Sequence, residues 1–269
     1  MSDRWDDLVT AESYADHVDR WGIYRSLNQA LARQLMQGCS PVPGLRVLDL
    51  ACGTGATLEA LMRYLPRECD VWAVDASQAM VDQAQFLLPD PRVNWCVARA
   101  ESWVGTPREP FDLMTCGAAF WHFDPTVHQP LLALLGPGGR LAFNVPDAQC
   151  AGGAGGRHPI QAALADILVS DRAQFPAVHP RFDRAQFEQT CFALGLECVW
   201  APHRWAGPQQ ALIDLLHIPA MAELVAPELS GSEADRLIER AAARVDPDQV
   251  VSVDWWLARV RAPNPAIEN

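Results

Sequence analysis

The segment Val47-Leu-Asp-Leu-Ala-Cys-Gly-Thr-Gly55 constrains this chain more than any other. A short apolar run ends in an acid, and a glycine turn then opens an amphipathic stretch from Thr57 to Tyr64. Strand, tight turn and helix in that order are the entry to a βαβ unit. Gly53 and Gly55 let the backbone approach a ligand, and Asp49 sets a carboxylate beside it. A dinucleotide loop needs a third small residue, but Leu58 stands there. The turn therefore suits a ligand without pyrophosphate. Asp75 follows twenty residues after Gly55, at the end of a second apolar run, where a carboxylate takes both hydroxyls of a ribose. In isolation, Asp49 and Asp75 also read as acids that cap helices.

The pattern repeats downstream. Apolar runs at 45–50, 70–75, 92–97, 111–116 and 139–145 read as strands, and 57–64 and 78–88 as helices between the first of them. Such alternation predicts an α/β fold, a Rossmann-like doubly wound sheet covered on both faces. A helix over 183–194, a strand over 196–200, helices over 208–224 and 232–245, and a last strand over 250–260 follow. The expectation is seven mostly parallel strands, the last antiparallel. Residues 1–40 read as an N-terminal helical lid, with Leu27, Leu31 and Leu35 forming one apolar stripe. Residues 41–269 read as the core domain, with lid insertions at about 147–180 and 208–246.

Composition removes whole classes of function. All 21 basic residues are arginine, against 33 acidic ones, for a net charge of −12. Without lysine there is no Schiff-base or P-loop lysine. Without a basic run there is no footprint for nucleic acid. No stretch approaches the roughly 18 apolar residues of a membrane span, and the acidic first residues do not resemble a signal peptide. A cytoplasmic protein is expected, with no membrane partner. The eight cysteines show neither Cys-x-x-Cys spacing nor a nearby histidine, so no metal and no disulfide framework is expected.

Five segments in order resemble the class I S-adenosylmethionine (SAM)-dependent methyltransferases, in the small-molecule branch. They are Asp49 to Gly55, Val74 to Met80, Ala100-Glu101, Phe111-Asp112 with Ala118 to Asp124, and Gly136-Pro-Gly-Gly139. The likeness covers residues 45–146 well and the remainder loosely. It implies that SAM is the cofactor and that Asp49, Ala51, Gly53, Thr54 and Gly55 lie under its methionine portion. Asp75 would hold the ribose, Ala76 and Met80 the adenine face, and Ala100 and Glu101 the adenine edge. Arg99 stands where the family more often has Asp, which leaves that edge to Glu101 or the Ala100 backbone. Cys116 and Trp121 would line the cleft, and Tyr14 and Tyr24 would close over it.

The resemblance further implies methyl transfer to a small-molecule acceptor in specialised metabolism, by a monomer or homodimer. A sulfonium already activates its methyl, so the protein mainly aligns and desolvates. His122 is the base candidate, with packing against Trp121 and Phe123 as its other reading. Asn144 would bond the amino acid end of the cofactor or satisfy buried backbone, and Tyr14 would lie near the transferred group. His17, His158, His179, His203 and His217 fall in the regions where a substrate pocket forms, none distinguished by sequence. Two other functions fit the same motifs. One is cyclisation of SAM itself to azetidine-2-carboxylate and methylthioadenosine, drawing on Asn144, Phe175 and Phe182. The other is a non-catalytic SAM-binding regulatory module.

Overall fold

The computed structural model describes residues 3–106, 108–151, 158–170, 182–225 and 229–264. Two helices lead, α1 (Leu8–Arg20) and α2 (Gly22–Met36). Asp7 caps α1 by accepting the Val9 amide, and Trp21 breaks the run between them. Leu27, Leu31 and Leu35 of α2 are fully buried. A buried leucine stabilises by about 1.5–3 kcal/mol, so this stripe anchors the segment firmly.

The sheet is built from β1 (Leu45–Leu50), β2 (Cys69–Asp75), β3 (Val93–Val97), β4 (Phe111–Cys116), β5 (Leu135–Pro146), β6 (Glu197–Pro208) and β7 (Val250–Arg261). Their order is β3-β2-β1-β4-β5-β7-β6. The pairs among β1 to β5 are parallel, and β7 runs antiparallel between β5 and β6. The chain winds outward from β1 in both directions, so a switch point lies between β1 and β4.

Helices cover both faces. Those downstream of β1 are α3 (Ala56–Met62), α4 (Gln78–Leu87), α5 (Ala100–Val104), α6 (His128–Leu132), α7 (Pro159–Ser170), α8 (Arg184–Ala193), α9 (Gln210–Leu216), α10 (Pro219–Val225) and α11 (Gly231–Ala242). Strand residues alternate between the faces. Val47, Ala142 and Leu257 join α2, α3, α7, α9 and α11 in one core cluster. Leu48, Leu50, Phe143 and Val260 join α5, α6 and α8 in the other.

Several boundaries differ from the sequence reading. The strand expected from Gly139 starts at Leu135, which pairs with Phe111; Gly136 to Gly139 then bulge out before Arg140 meets Leu113. A Cβ at Gly139 would stand 2.8 Å from the carbonyls of both Gly136 and Phe111, so only glycine fits. The strand expected over 196–200 runs on to Pro208. Its prolines are tolerated because β6 is an edge strand with an unpaired side. The single helix expected over 208–224 is split into α9 and α10, as Pro219 disfavours helical backbone at Ile218. Of the insertion expected at 147–180, α7 is described; residues 152–157 and 171–181, Phe175 among them, lie outside the described residues. Among the described residues no helix is long and apolar enough to cross a membrane.

Candidate cofactor site

The site forms where β1, β4 and β5 end. After Leu50 the chain turns through Ala51 (φ 55°), Gly53 (φ 52°) and Gly55 (φ 84°), all left-handed, into α3. Ala51 tolerates this conformation at a cost of order 1–3 kcal/mol, a strain characteristic of functional turns. Ala118, just past β4, shows the same strain at φ 53°. Between them Gly117 packs so tightly that a Cβ there would stand 2.1 Å from the Thr57 hydroxyl.

Asp49 points to the α2–α3 face and is wholly buried. Its Oδ1 accepts the Thr115 hydroxyl at 2.8 Å, and its Oδ2 has no hydrogen-bond partner. Burial raises its pKa to about 7, against the pull of the Thr115 hydroxyl and of the Leu58 amide at the start of α3, and the nearby Asp75 charge adds to the rise. On the same face, Asn144 of β5 accepts the Ala118 amide at 3.0 Å, while its Nδ2 is buried without a partner. An unmatched acceptor and an unmatched donor thus flank the switch point. Buried polar groups of this kind each cost about 1–3 kcal/mol unless something bonds them.

Asp75 closes β2. Its carboxylate accepts the Gly53 and Ser77 amides, each at 2.9 Å. Burial raises its pKa, and those amides moderate the rise. Ser77 caps α4 through the Met80 amide, and its own hydroxyl donates to the Trp5 carbonyl at 2.8 Å. The N-terminal segment is therefore latched across the end of β2. Met80 packs with Ala11 beside Trp5 and Tyr14.

The two tyrosines stand in one aromatic run. Tyr14 lies 5.5 Å from Tyr24, Tyr24 lies 6.2 Å from Trp255, and Trp255 lies 5.8 Å from Trp121, between ring centroids. Burial pushes the Tyr14 hydroxyl well above its ordinary pKa, helped by the neighbouring Tyr24 and Asp75, and burial raises Tyr24 to about 12. Both stay protonated donors at neutral pH.

The other sequence candidates are placed as follows. Thr54 is buried within the turn, and Ala76 follows Asp75 directly. Cys116 is buried at the end of β4, its thiol pushed up by burial and by the Asp49 and Asp75 charges. Ala100 is buried at the start of α5, whereas Glu101 is exposed and pairs with Arg99 at 3.5 Å. His122 ends a short 3-10 helix, its ring 4.9 Å from Trp121. Thr115, Gly117, Asn28 and Trp255 were not singled out by sequence. Only the pairing of β1 with β4, which sets Asp49 opposite Thr115, makes Thr115 visible as a site residue. Asn28 enters through the Thr57 hydroxyl, which it accepts at 3.1 Å.

A doubly wound sheet, a left-handed glycine turn after β1 and an acid closing β2 define a nucleoside-binding α/β protein. The comparisons with known proteins narrow this class. The methyltransferase domain family matches residues 47–139. Trans-aconitate 2-methyltransferase of Rhodopseudomonas palustris is 30% identical over 190 residues, covering 65% of this chain and 72% of that protein. The namesake from Methylobacterium radiotolerans is 35% identical over 102 residues, and the match spans only 37% of either chain. Among solved structures, the [4+2]-cyclase SpnF shares the fold with a TM-score of 0.54 at 16% identity, over 89% of this chain and 80% of that one. The chain belongs to the class I SAM-dependent methyltransferases.

Proposed function

We propose that this protein transfers the methyl group of SAM to a small-molecule acceptor. The observation that carries the reading is the pair of unmatched buried atoms at the switch point, Asp49 Oδ2 and Asn144 Nδ2. An α-amino acid bears both complements, an ammonium for the carboxylate and a carboxylate for the amide. A ligand with that end, extended toward Asp75 by a ribose, has the composition of SAM. When bound, SAM supplies a methyl group activated by positive sulfur.

The residues divide the work. The 51–55 turn lies beneath the methionine portion, with Asp49 and Asn144 on its charged end. Asp75 takes the ribose hydroxyls in place of its present amide bonds. Ala76 and Met80 pack on the adenine, and the start of α5, at Ala100 and Glu101, meets its edge. Tyr14, Tyr24 and Trp121 exclude water, with helices α1 and α2 serving as the cover. Their ring faces favour a cation, which suits a sulfonium. His122 neighbours Trp121 and is the base candidate at the sulfur end. Trans-aconitate names one acceptor used by relatives, and specialised metabolism is the setting expected for this chain.

The deciding experiment is to incubate the protein with SAM alone and then with candidate acceptors, identifying the nucleoside formed. Methyl transfer gives S-adenosylhomocysteine, and only when an acceptor is present. Methylthioadenosine accumulating from SAM alone, above its spontaneous formation, would overturn the proposal in favour of ring closure. Binding without any turnover across the acceptors would make the chain a SAM-binding module.

A further inference from the structure

Past the end of β5 a groove of about 470 Å³ lies against the paired strands β6 and β7. Pro202, Trp255 and Trp256 give it apolar walls. Its charged groups are already matched. Arg204 donates two hydrogen bonds to Asp254, at 2.6 and 2.9 Å, and Asp147 accepts the Trp256 indole N–H at 2.8 Å.

Two polar groups there are not matched in this way. Trp255 is only 5% exposed, and its indole N–H bonds to nothing. Its register partner across the ladder is His203, which also lines the groove. Directly opposed residues share one face of the sheet, with Cβ atoms about 5 Å apart. The Ser26 hydroxyl donates to the Ile23 carbonyl at 3.1 Å, so it offers the His203 Nε2, 3.4 Å away, a lone pair. That places the ring hydrogen on Nε2 and leaves Nδ1 as the basic nitrogen. Burial and the Arg33 charge lower the His203 pKa, which keeps the ring neutral at pH 7. Trp255 also joins the groove to the cofactor cleft, through its contacts with Tyr24 and Trp121.

We propose that this groove is the acceptor pocket and that it selects an uncharged hydroxylated ring, a phenol-class ligand whose oxygen accepts the Trp255 N–H and whose proton passes to His203. The inference rests on the methyl-transfer reading. In the step, the hydroxyl oxygen's lone pair forms the new O–CH3 bond. The S–CH3 bond breaks with its electron pair remaining on sulfur, and the hydroxyl proton ends on His203 Nδ1, from which it returns to water. A tricarboxylate such as trans-aconitate fits poorly, because His203 is neutral and the one arginine lining the groove, Arg204, is held by Asp254. The family match covers residues 47–139 and does not reach His203 or Trp255.

The test is a set of ligand-observed NMR titrations with S-adenosylhomocysteine bound, using phenol, anisole and trans-aconitate. Phenol should bind roughly tenfold more tightly than anisole, the worth of one hydrogen bond, and trans-aconitate more weakly than either. His203→Phe should bring phenol down to anisole while leaving S-adenosylhomocysteine affinity unchanged. Trp255→Phe should weaken phenol and anisole alike. Equal binding of phenol and anisole to the unaltered protein, a difference that survives His203→Phe, no binding of either ring, or tighter binding of trans-aconitate would each overturn the proposal. Failure of S-adenosylhomocysteine to bind would instead strike the cofactor reading, and the same titrations without it would still judge the groove.

Discussion

Asp49→Asn should make the protein more stable at pH 8 while removing its grip on the cofactor. Burial lifts the Asp49 carboxyl from its ordinary 3.8 to about 7 in the folded chain. The folded state therefore holds the proton more tightly than the unfolded state does. The stability this provides is complete below the unfolded value and is lost as pH rises through about 7. The rise from 3.8 to about 7 corresponds to about 4 kcal/mol, which the ionised carboxylate costs the fold at pH 8. Asparagine removes that cost and keeps an oxygen for the Thr115 hydroxyl. It also replaces the unmatched Oδ2 with an unmatched N–H donor, at about 1–3 kcal/mol. The net gain is about 1–3 kcal/mol. Denaturant titrations at pH 5 and pH 8 measure it: the variant should gain at pH 8, and its stability should depend less on pH between the two. Calorimetry with S-adenosylhomocysteine should show binding to the unaltered protein that releases protons near pH 7, as the ligand's ammonium drives Asp49 to ionise. The variant should bind far more weakly and release none. An Asp49→Asn protein that is less stable at pH 8, or that binds the ligand as before, would refute this account.

Asp75→Ala should weaken SAM binding by about 1.5–3 kcal/mol, the range for lost hydrogen bonds to a charged group, and should lower the melting temperature too, since the Gly53 and Ser77 amides lose their acceptor; unchanged affinity in calorimetry would remove Asp75 from the ribose. Hydrogen exchange over α1 and α2 should slow when SAM is added, since both helices cover the aromatic run. Exchange there that ignores the cofactor would make the segment a brace for the sheet.

Much of this was legible in sequence where chemistry and pattern coincide. The first five strands announce themselves because each carries a short apolar run, and β2 and β4 close on an acid and a glycine. The same local signals reveal Asp49, the 51–55 turn and Asp75. The second half reads less well. Pro202 and Pro208 mimic a loop, and only their place on an edge strand admits them to a sheet. The unmatched atoms of Asp49, Asn144 and Trp255 have no sequence signature, because each depends on what a distant strand fails to offer. Asn144 was singled out all the same, but by its place after the fifth strand. His203 gained meaning only once β6 paired with β7 and set it opposite Trp255.

The way α1 is fastened has a consequence for how the chain matures. His17 bonds the Ala211 carbonyl at 2.9 Å, and the Trp21 indole donates to Asp214 at 3.0 Å, spans of 194 and 193 residues. Helix α2 likewise rests on β6 and β7. The cover over the cofactor is therefore fastened in two stages: α1 and α2 find α4, α3 and β5 soon after they are made, and their hold on α9, β6 and β7 forms only when the later half of the chain arrives. Synthesis proceeds at about 5–20 residues per second, so the cover rests on its early contacts alone for on the order of ten seconds. During that interval the glycine turn and acids lie under a roof with half its anchors. Damage to β7 should for the same reason reach the cofactor site through α2.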